Sequence, residues 1–498
     1  MGNQKLLLAG SALTIILAAT GATGAAAQEA CDINGAAQAP SAAAGSLQCG
    51  TTATATGTSS TAVGTNTNAT GLQTTAVGNS ADATDEDATA VGFNANSTGF
   101  HSTAVGSLSD ATNVGATAIG WEADATGIRS TSLGNSAKAT ATDSTALGRS
   151  ATATAAESTA VGQLSAATGA GASALGQNAR AVGAQSVVVG NDASALGAGG
   201  IAIGGNSDGA GNGAVADGAR AIAVGADAQA VGDSNIAVGG GAAATSTQTT
   251  AIGTNATASD ADATALGFDA NSTGFHSTAV GALSDATGLG STAIGWEADA
   301  TQARATALGN SAKATGTDST ALGRSATASA ANSTSLGQGA SATGTNSVAI
   351  GSNSVASQAN TVSVGGVGTE RRVVNVAAGT AGTDAVNVSQ LTNAVAGINA
   401  DISGLSSDIS TLYDLRSRDR RDMRQGIAAA IAIAPAAMPS APGRVAYTVN
   451  GARFRGENAV GGSVSYRLNS ETPVAVGVGF SYGGNKNNGV RVGVSGEF

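Results

Sequence analysis

The sequence predicts a mostly β protein in three parts: a long solenoid of stacked 14-residue coils, a short coiled coil, and four membrane-type strands per chain. Three observations predict it. The shape Ser60-Thr61-Ala62-Val63-Gly64 returns on a step of 14, ending at Gly78, Gly92, Gly106 and onward. An apolar seam spaced 3 and 4 runs from Val388 to Leu412. The C-terminal residues then alternate apolar and polar.

Residues 1–27 read as a secretory signal: Lys5, an apolar run Leu6 to Ala19, and Ala25-Ala26-Ala27 before Gln28. The run is short for a membrane span. Residues 28–51 form a small-residue leader or cap holding both cysteines, Cys31 and Cys49. In an exported chain these suit a local disulfide, with free thiols as the alternative.

Residues 52–366 carry the repeat. In Ser277-Thr278-Ala279-Val280-Gly281, Thr and Val share one face while Ser, Ala and Gly share the other, which is strand periodicity. A weaker strand follows about half a unit later, so each unit gives two short strands and two tight corners. Stacking pairs each strand with its copy in the next unit and satisfies the backbone along the rod. In the middle, glycines from Gly183 to Gly239 fall every seven residues, and the strong motif is expected to move from one half-coil to the other. A cassette, Phe93 to Ser102, returns as Phe268 to Ser277 at an offset of 175, expected to arrive in the opposite phase. Coils of Ala, Ser, Thr and Gly bury little apolar area per residue, so the rod needs partner chains.

Residues 367–390 turn charged and strand-like and lead to a helix start; 391–424 hold the stalk. The seam is Val388, Leu391, Val395, Ile398, Ile402, Leu405, Ile409 and Leu412, compatible with two or three strands, and Ile398 at a d position leans toward three. A charged helix and a small-residue helix stopped by Pro435 follow. Within 425–498, Val460 to Leu468, Val474 to Tyr482 and Val490 to Phe498 alternate, and Arg444 to Arg455 supplies a fourth strand. Four strands cannot close around a lumen, whereas three chains give twelve.

The formal charge of −11 excludes nucleic acid as a partner, since phosphate binding wants clustered Lys and Arg. No enzyme chemistry is indicated. His101 and His276, the only histidines, are copies of one position without a second ligand at metal spacing, and no cofactor is expected.

The motif Asn346-Ser347-Val348-Ala349-Ile350-Gly351, the stretch from Glu370-Arg371-Arg372 through Val386-Asn387-Val388-Ser389-Gln390-Leu391, and residues 415–498 together resemble the trimeric autotransporter adhesins of YadA-like kind. The resemblance covers nearly the whole chain. It implies a left-handed parallel β-roll head, a homotrimer, a twelve-stranded outer-membrane barrel that exports its own passenger, and a surface-exposed head. It implies neck and trimer roles for Glu370, Arg371, Arg372, Asn375, Asp384 and Asn387. Terminal Phe498 would be read by the barrel-assembly machinery, and outer-membrane lipid would surround the barrel. The implied function is adhesion to host extracellular matrix, a cell-surface ligand or sibling bacteria. The stalk is very short for such a protein. Candidate ligand contacts are Phe100, His101, Trp121, Phe275, His276 and Trp296, with corner or inter-subunit packing as the alternative. A passive spacer and an ice- or mineral-binding threonine array are the competing functions.

Overall fold

A computed structural model describes residues 29–30, 32–33, 36–37 and 43–498, apart from 208, 210–212, 485 and 498. The expected signal segment, Cys31 and Phe498 lie outside the described residues. The chain divides into two compact units, Met1–Arg371 and Arg372–Phe498.

The first unit is a parallel β-solenoid. Three-residue strands run in one ladder from Leu47–Cys49 to Val362–Ser363, and two-residue strands in a second from Thr54–Ala55 to Val355–Ala356. Register is like on like: Thr89 pairs with Thr103, Ala90 with Ala104 and Val91 with Val105. The ladder begins ahead of the expected start at Thr52, because Leu47-Gln48-Cys49 pairs with Thr61-Ala62-Val63. Cys49 is disulfide-bonded.

Alanine and serine face inward. Ala62, Ala69, Ala76 and Ala83 are fully buried, as are Ser60 and Ser102. Among the described residues Val188 is the largest fully buried side chain, so the coil interior is narrow. The aliphatic residue of each strong strand points outward instead: Leu133, Leu147 and Leu175 each keep about 40% of their surface exposed. The result is a continuous outward row of Val, Ile and Leu along one ladder.

That narrow interior fixes the glycines. A Cβ on Gly106 would lie 2.1 Å from the carbonyl oxygen of Gly120 in the next coil. Successive backbones approach too closely there for any side chain. At the last residue of most corners, by contrast, non-glycine residues adopt the left-handed conformation, among them Asn94 (φ 56°) and His101 (φ 56°).

The middle corrects two expectations. The strong motif does not change sides: Ile201–Ile203 pairs with Ile222–Val224, and Ser194–Ala195 with Val215–Ala216. Both steps span 21 residues instead of 14, so seven more residues separate Gly204 from Ala214 than separate their counterparts in the other coils. Keeping each strand on its own kind preserves the buried alanine rows, which a half-coil flip would break. The duplicated cassettes are therefore in the same phase. Phe93 and Phe268 each follow the glycine of a strong strand, twelve rungs apart in one ladder.

In the second unit, the segment expected to be strand-like up to residue 387 forms no ladder among the described residues. One chain offers it no partner strand. A single helix, Val388–Ala432, then merges the expected stalk and small-residue helices. It stops short of Pro435, as the restriction on residues preceding proline requires. Every seam residue is exposed, from 45% at Val395 and Ile409 to 79% at Val388, an apolar stripe facing no element of this chain. Among the described residues, no helix is long and apolar enough to cross a membrane.

Four antiparallel strands follow in consecutive order: Val445–Phe454, Glu457–Arg467, Val474–Tyr482 and Asn488–Gly496. Tyr447, Val449, Val460, Phe480, Val490 and Val492 are exposed on one face. The other face receives the end of the helix. Gly461 lies against the carbonyl of Ala432, while Gly479 and Gly489 lie against Ile433. Ser463 donates to the Ala434 carbonyl at 2.6 Å, and Arg467 reaches the carbonyls of Pro439 and Ser440 at 3.3 Å.

Candidate functional site

The solenoid's corners hold the candidate contacts. Each corner is a small or polar residue, most often glycine, then an outward residue, then a residue in the left-handed region. The outward residue has no place in so narrow an interior, whatever its hydrophobicity. Phe93 is 55% exposed, Trp121 49%, Phe268 53% and Trp296 47%. Phe100 and Phe275 occupy the opposite corner of their coils and are also exposed.

His101 stacks on Phe100 with ring centroids 3.9 Å apart, and its Nε2 lies 3.1 Å from Asp87 Oδ2 in the previous coil. The second copy repeats this: His276 stacks on Phe275 at 3.9 Å and meets Asp262 at 3.1 Å. The same corner row carries the bidentate pairs Arg129–Asp143 and Arg304–Asp318. In both, the guanidinium holds the aspartate below the ordinary carboxylate range by direct hydrogen bonding. These ion pairs are exposed and brace neighbouring coils.

The structure thus separates the six candidates. Trp121 and Trp296 share a corner row with Phe93 and Phe268, while Phe100, His101, Phe275 and His276 lie on the other row. Phe93 and Phe268 belong to the same cassettes but were not among the six candidate contacts. A second signal was available for them: each lies 28 residues before a tryptophan, which is two coils.

The neck residues do local work. Arg371 caps the last coil by hydrogen-bonding Ser354 Oγ and the Val364 carbonyl, each at 2.8 Å, and the Ser352 carbonyl. Glu370 accepts from the Gly368 amide at 2.9 Å. Asp384 accepts from the amides of Thr380 and Ala381 at 2.8 and 2.9 Å, which hold its carboxyl below the ordinary range. Arg372 is exposed, and Asn375 turns the chain at φ 61°. Asn387 caps the helix in a reciprocal box with Gln390. Gln390 was not singled out from sequence, yet it also binds both the amide and the carbonyl of Gly379, at 2.9 and 2.8 Å. Among the described residues, no group of three His, Cys, Asp or Glu is placed to hold a metal ion.

A family model of the YadA head domain repeat matches this solenoid in successive copies from residue 50 to residue 366. The chain belongs to the YadA-like trimeric autotransporter adhesins. The model of the coiled stalk of trimeric autotransporter adhesins matches residues 372–412, taking in most of the neck and the whole seam. Among solved structures, the chain is similar to the collagen-binding domain of the Yersinia adhesin YadA. The two share 32% identity over 36% of this chain and 84% of that one, with a TM-score of 0.22. The assignment rests on the head-repeat match. YadA-like adhesins are homotrimeric surface proteins of the outer membrane.

Proposed function

We propose that this chain is a homotrimeric outer-membrane adhesin that exports its own head and attaches the cell to host matrix, host cells or sibling bacteria. The observation that carries the reading is the head repeat over residues 50–366, continued by an exposed heptad seam. Three seams at Val388 to Leu412 would bury one another. The outward aliphatic row of the solenoid would find cover in the same assembly. Three copies of the four-stranded sheet would close a twelve-stranded barrel with its apolar face toward lipid. Attachment would then be multivalent, since three heads per fibre turn weak contacts into firm ones.

The test is display of the full chain in a non-adherent Gram-negative host. Unboiled gels should show a heat-sensitive trimer in the outer membrane, and protease added to intact cells should remove the head. Cells not treated with protease should bind at least one surface in a panel of collagen, other matrix proteins, host cells and sibling bacteria. A surface-exposed trimer that binds none of them favours the passive-spacer reading.

A further inference from the structure

The aromatic patch at residues 93–136 has a built order. Phe93 and Trp121 occupy the same corner position two rungs apart, with Ser107 on the rung between. At about 4.8 Å per rung, the two rings stand about 10 Å apart along the rod. Leu108 lies in the adjoining column, with its amide donating to the Phe93 carbonyl at 2.8 Å. Polar groups flank the rings. Ser136 Oγ lies 3.2 Å from both Glu122 Oε2 and Asn135 Oδ1.

Twelve rungs away the arrangement recurs. Phe268, Leu283 and Trp296 take the same places, and Ser311 Oγ lies 3.4 Å from Glu297 Oε2 and 3.2 Å from Asn310 Oδ1. The opposite corner row is kept less faithfully: Phe100, Val114 and Ile128 become Phe275, Leu289 and Ala303. The row with the tryptophans keeps both its rings and its hydrogen-bonded flank.

We propose that this corner row is a platform for a neutral, extended β-linked polysaccharide, with one platform per cassette. The proposal rests on the surface-attachment reading above and names its ligand class. Pyranose rings present flat C–H faces that stack on aromatic rings, and their hydroxyls donate to neighbouring carboxylates and exchange hydrogen bonds with amides and hydroxyls. The interval between Phe93 and Trp121 matches one disaccharide of an extended β-linked chain, so alternate sugars would meet successive rings. The platform is a corner edge with no cavity, which suits a linear chain better than the anchoring side chain of a globular protein. Charge narrows the class. Glu122 adjoins Trp121 on the first platform and Glu297 adjoins Trp296 on the second, so a carboxylate beside each indole disfavours anionic glycans. Two platforms about 58 Å apart at that rung spacing let one long chain bind twice.

The protein carries its own reporter, because Trp121 and Trp296 are its only tryptophans. The detergent-solubilised full-length trimer would be titrated with cellohexaose and chitohexaose, with oligogalacturonate and glucose as controls. One neutral hexasaccharide should shift tryptophan emission and at least halve quenching by acrylamide, while the controls should not. The Phe93→Ala/Phe268→Ala variant keeps both reporters and should bind about tenfold more weakly. Phe93→Tyr/Phe268→Tyr should bind normally, and unboiled gels would confirm that all variants are trimers. No response to either hexasaccharide, or an equal response to the anionic one, overturns the proposal. Tryptophans already shielded from acrylamide in the free trimer also overturn it, since the row would then be buried between subunits. If displayed cells attach to a surface in each of these cases, the adhesin reading stands and only the glycan assignment falls.

Discussion

Replacing Gly162 by alanine should open the solenoid locally, whereas replacing Gly171 should not. Gly162 has φ +133°, and a Cβ there would lie 2.3 Å from the carbonyl oxygen of Gly176 and 2.6 Å from its carbon. Neither atom is the end of a movable side chain. Gly171 has φ +63°, and the nearest atom to its Cβ would be Gln185 Cγ at 3.8 Å. Its counterparts in neighbouring coils are Glu157 and Gln185, which already adopt that conformation. Gly171→Ala should therefore cost only about 1–2 kcal/mol of left-handed strain. Gly162→Ala adopts a conformation reserved for glycine at about 1–3 kcal/mol. It must also push the next coil away, endangering the bond from the Gly176 amide to the Val161 carbonyl, 2.8 Å long and worth about 1 kcal/mol. The stiffening of the unfolded chain is common to both variants and cancels in the comparison. Hydrogen exchange on the full-length protein would follow amides of residues 159–178. Because each coil contacts only its neighbours, exchange there should rise several-fold more in Gly162→Ala than in Gly171→Ala, while coils around Gly253 stay unchanged. Equal effects at both positions would refute the argument that close backbone approach decides where glycine stands.

Other outcomes follow from single contacts. Arg371→Ala should fray the last coil, raising proteolysis between residues 351 and 366, and Arg371→Lys should not restore protection because a single nitrogen cannot stand where two guanidinium nitrogens reach Ser354, Val364 and Ser352. Asn387→Ala should cost the helix start about 1 kcal/mol, read as faster exchange of residues 388–391. Burial raises the Asp110 carboxyl, offset in part by Asn96 donating at 2.7 Å and reinforced by Asp124. Its folded value lies above the unfolded one of about 3.9, so ionisation opposes folding, and the surrounding coils should gain stability as pH falls from neutral through the raised value. Asp110→Asn should abolish that gain in protease protection around residues 96–124.

The period of 14 was legible because every coil repeats the same inward alanine and the same unavoidable glycine. The seam and the four alternating strands were legible for the same reason: a single periodicity maps onto a single face. The seven-residue excursion after Gly204 was not. A step of 21 residues satisfies both a flipped half-coil and an insertion of seven residues, and only the pairing of Ile201 with Ile222 chooses between them. The phase of the second cassette hung on that choice, and with it the alignment of Trp121 and Trp296 in one row. Gln390 escaped notice because a glutamine in a first helical turn is unremarkable until its partner Asn387, three residues earlier, is read as a cap. The glycines Gly461, Gly479 and Gly489 answer to a helix that the alternation of the strands does not reveal.

The central claim is that the head carries the attachment. The direct measurement compares cells displaying the full chain with cells displaying it without residues 52–366, both confirmed as surface trimers on unboiled gels. The account predicts that the headless fibre loses adherence and self-aggregation while its trimer persists. Undiminished adherence of the headless trimer would contradict it.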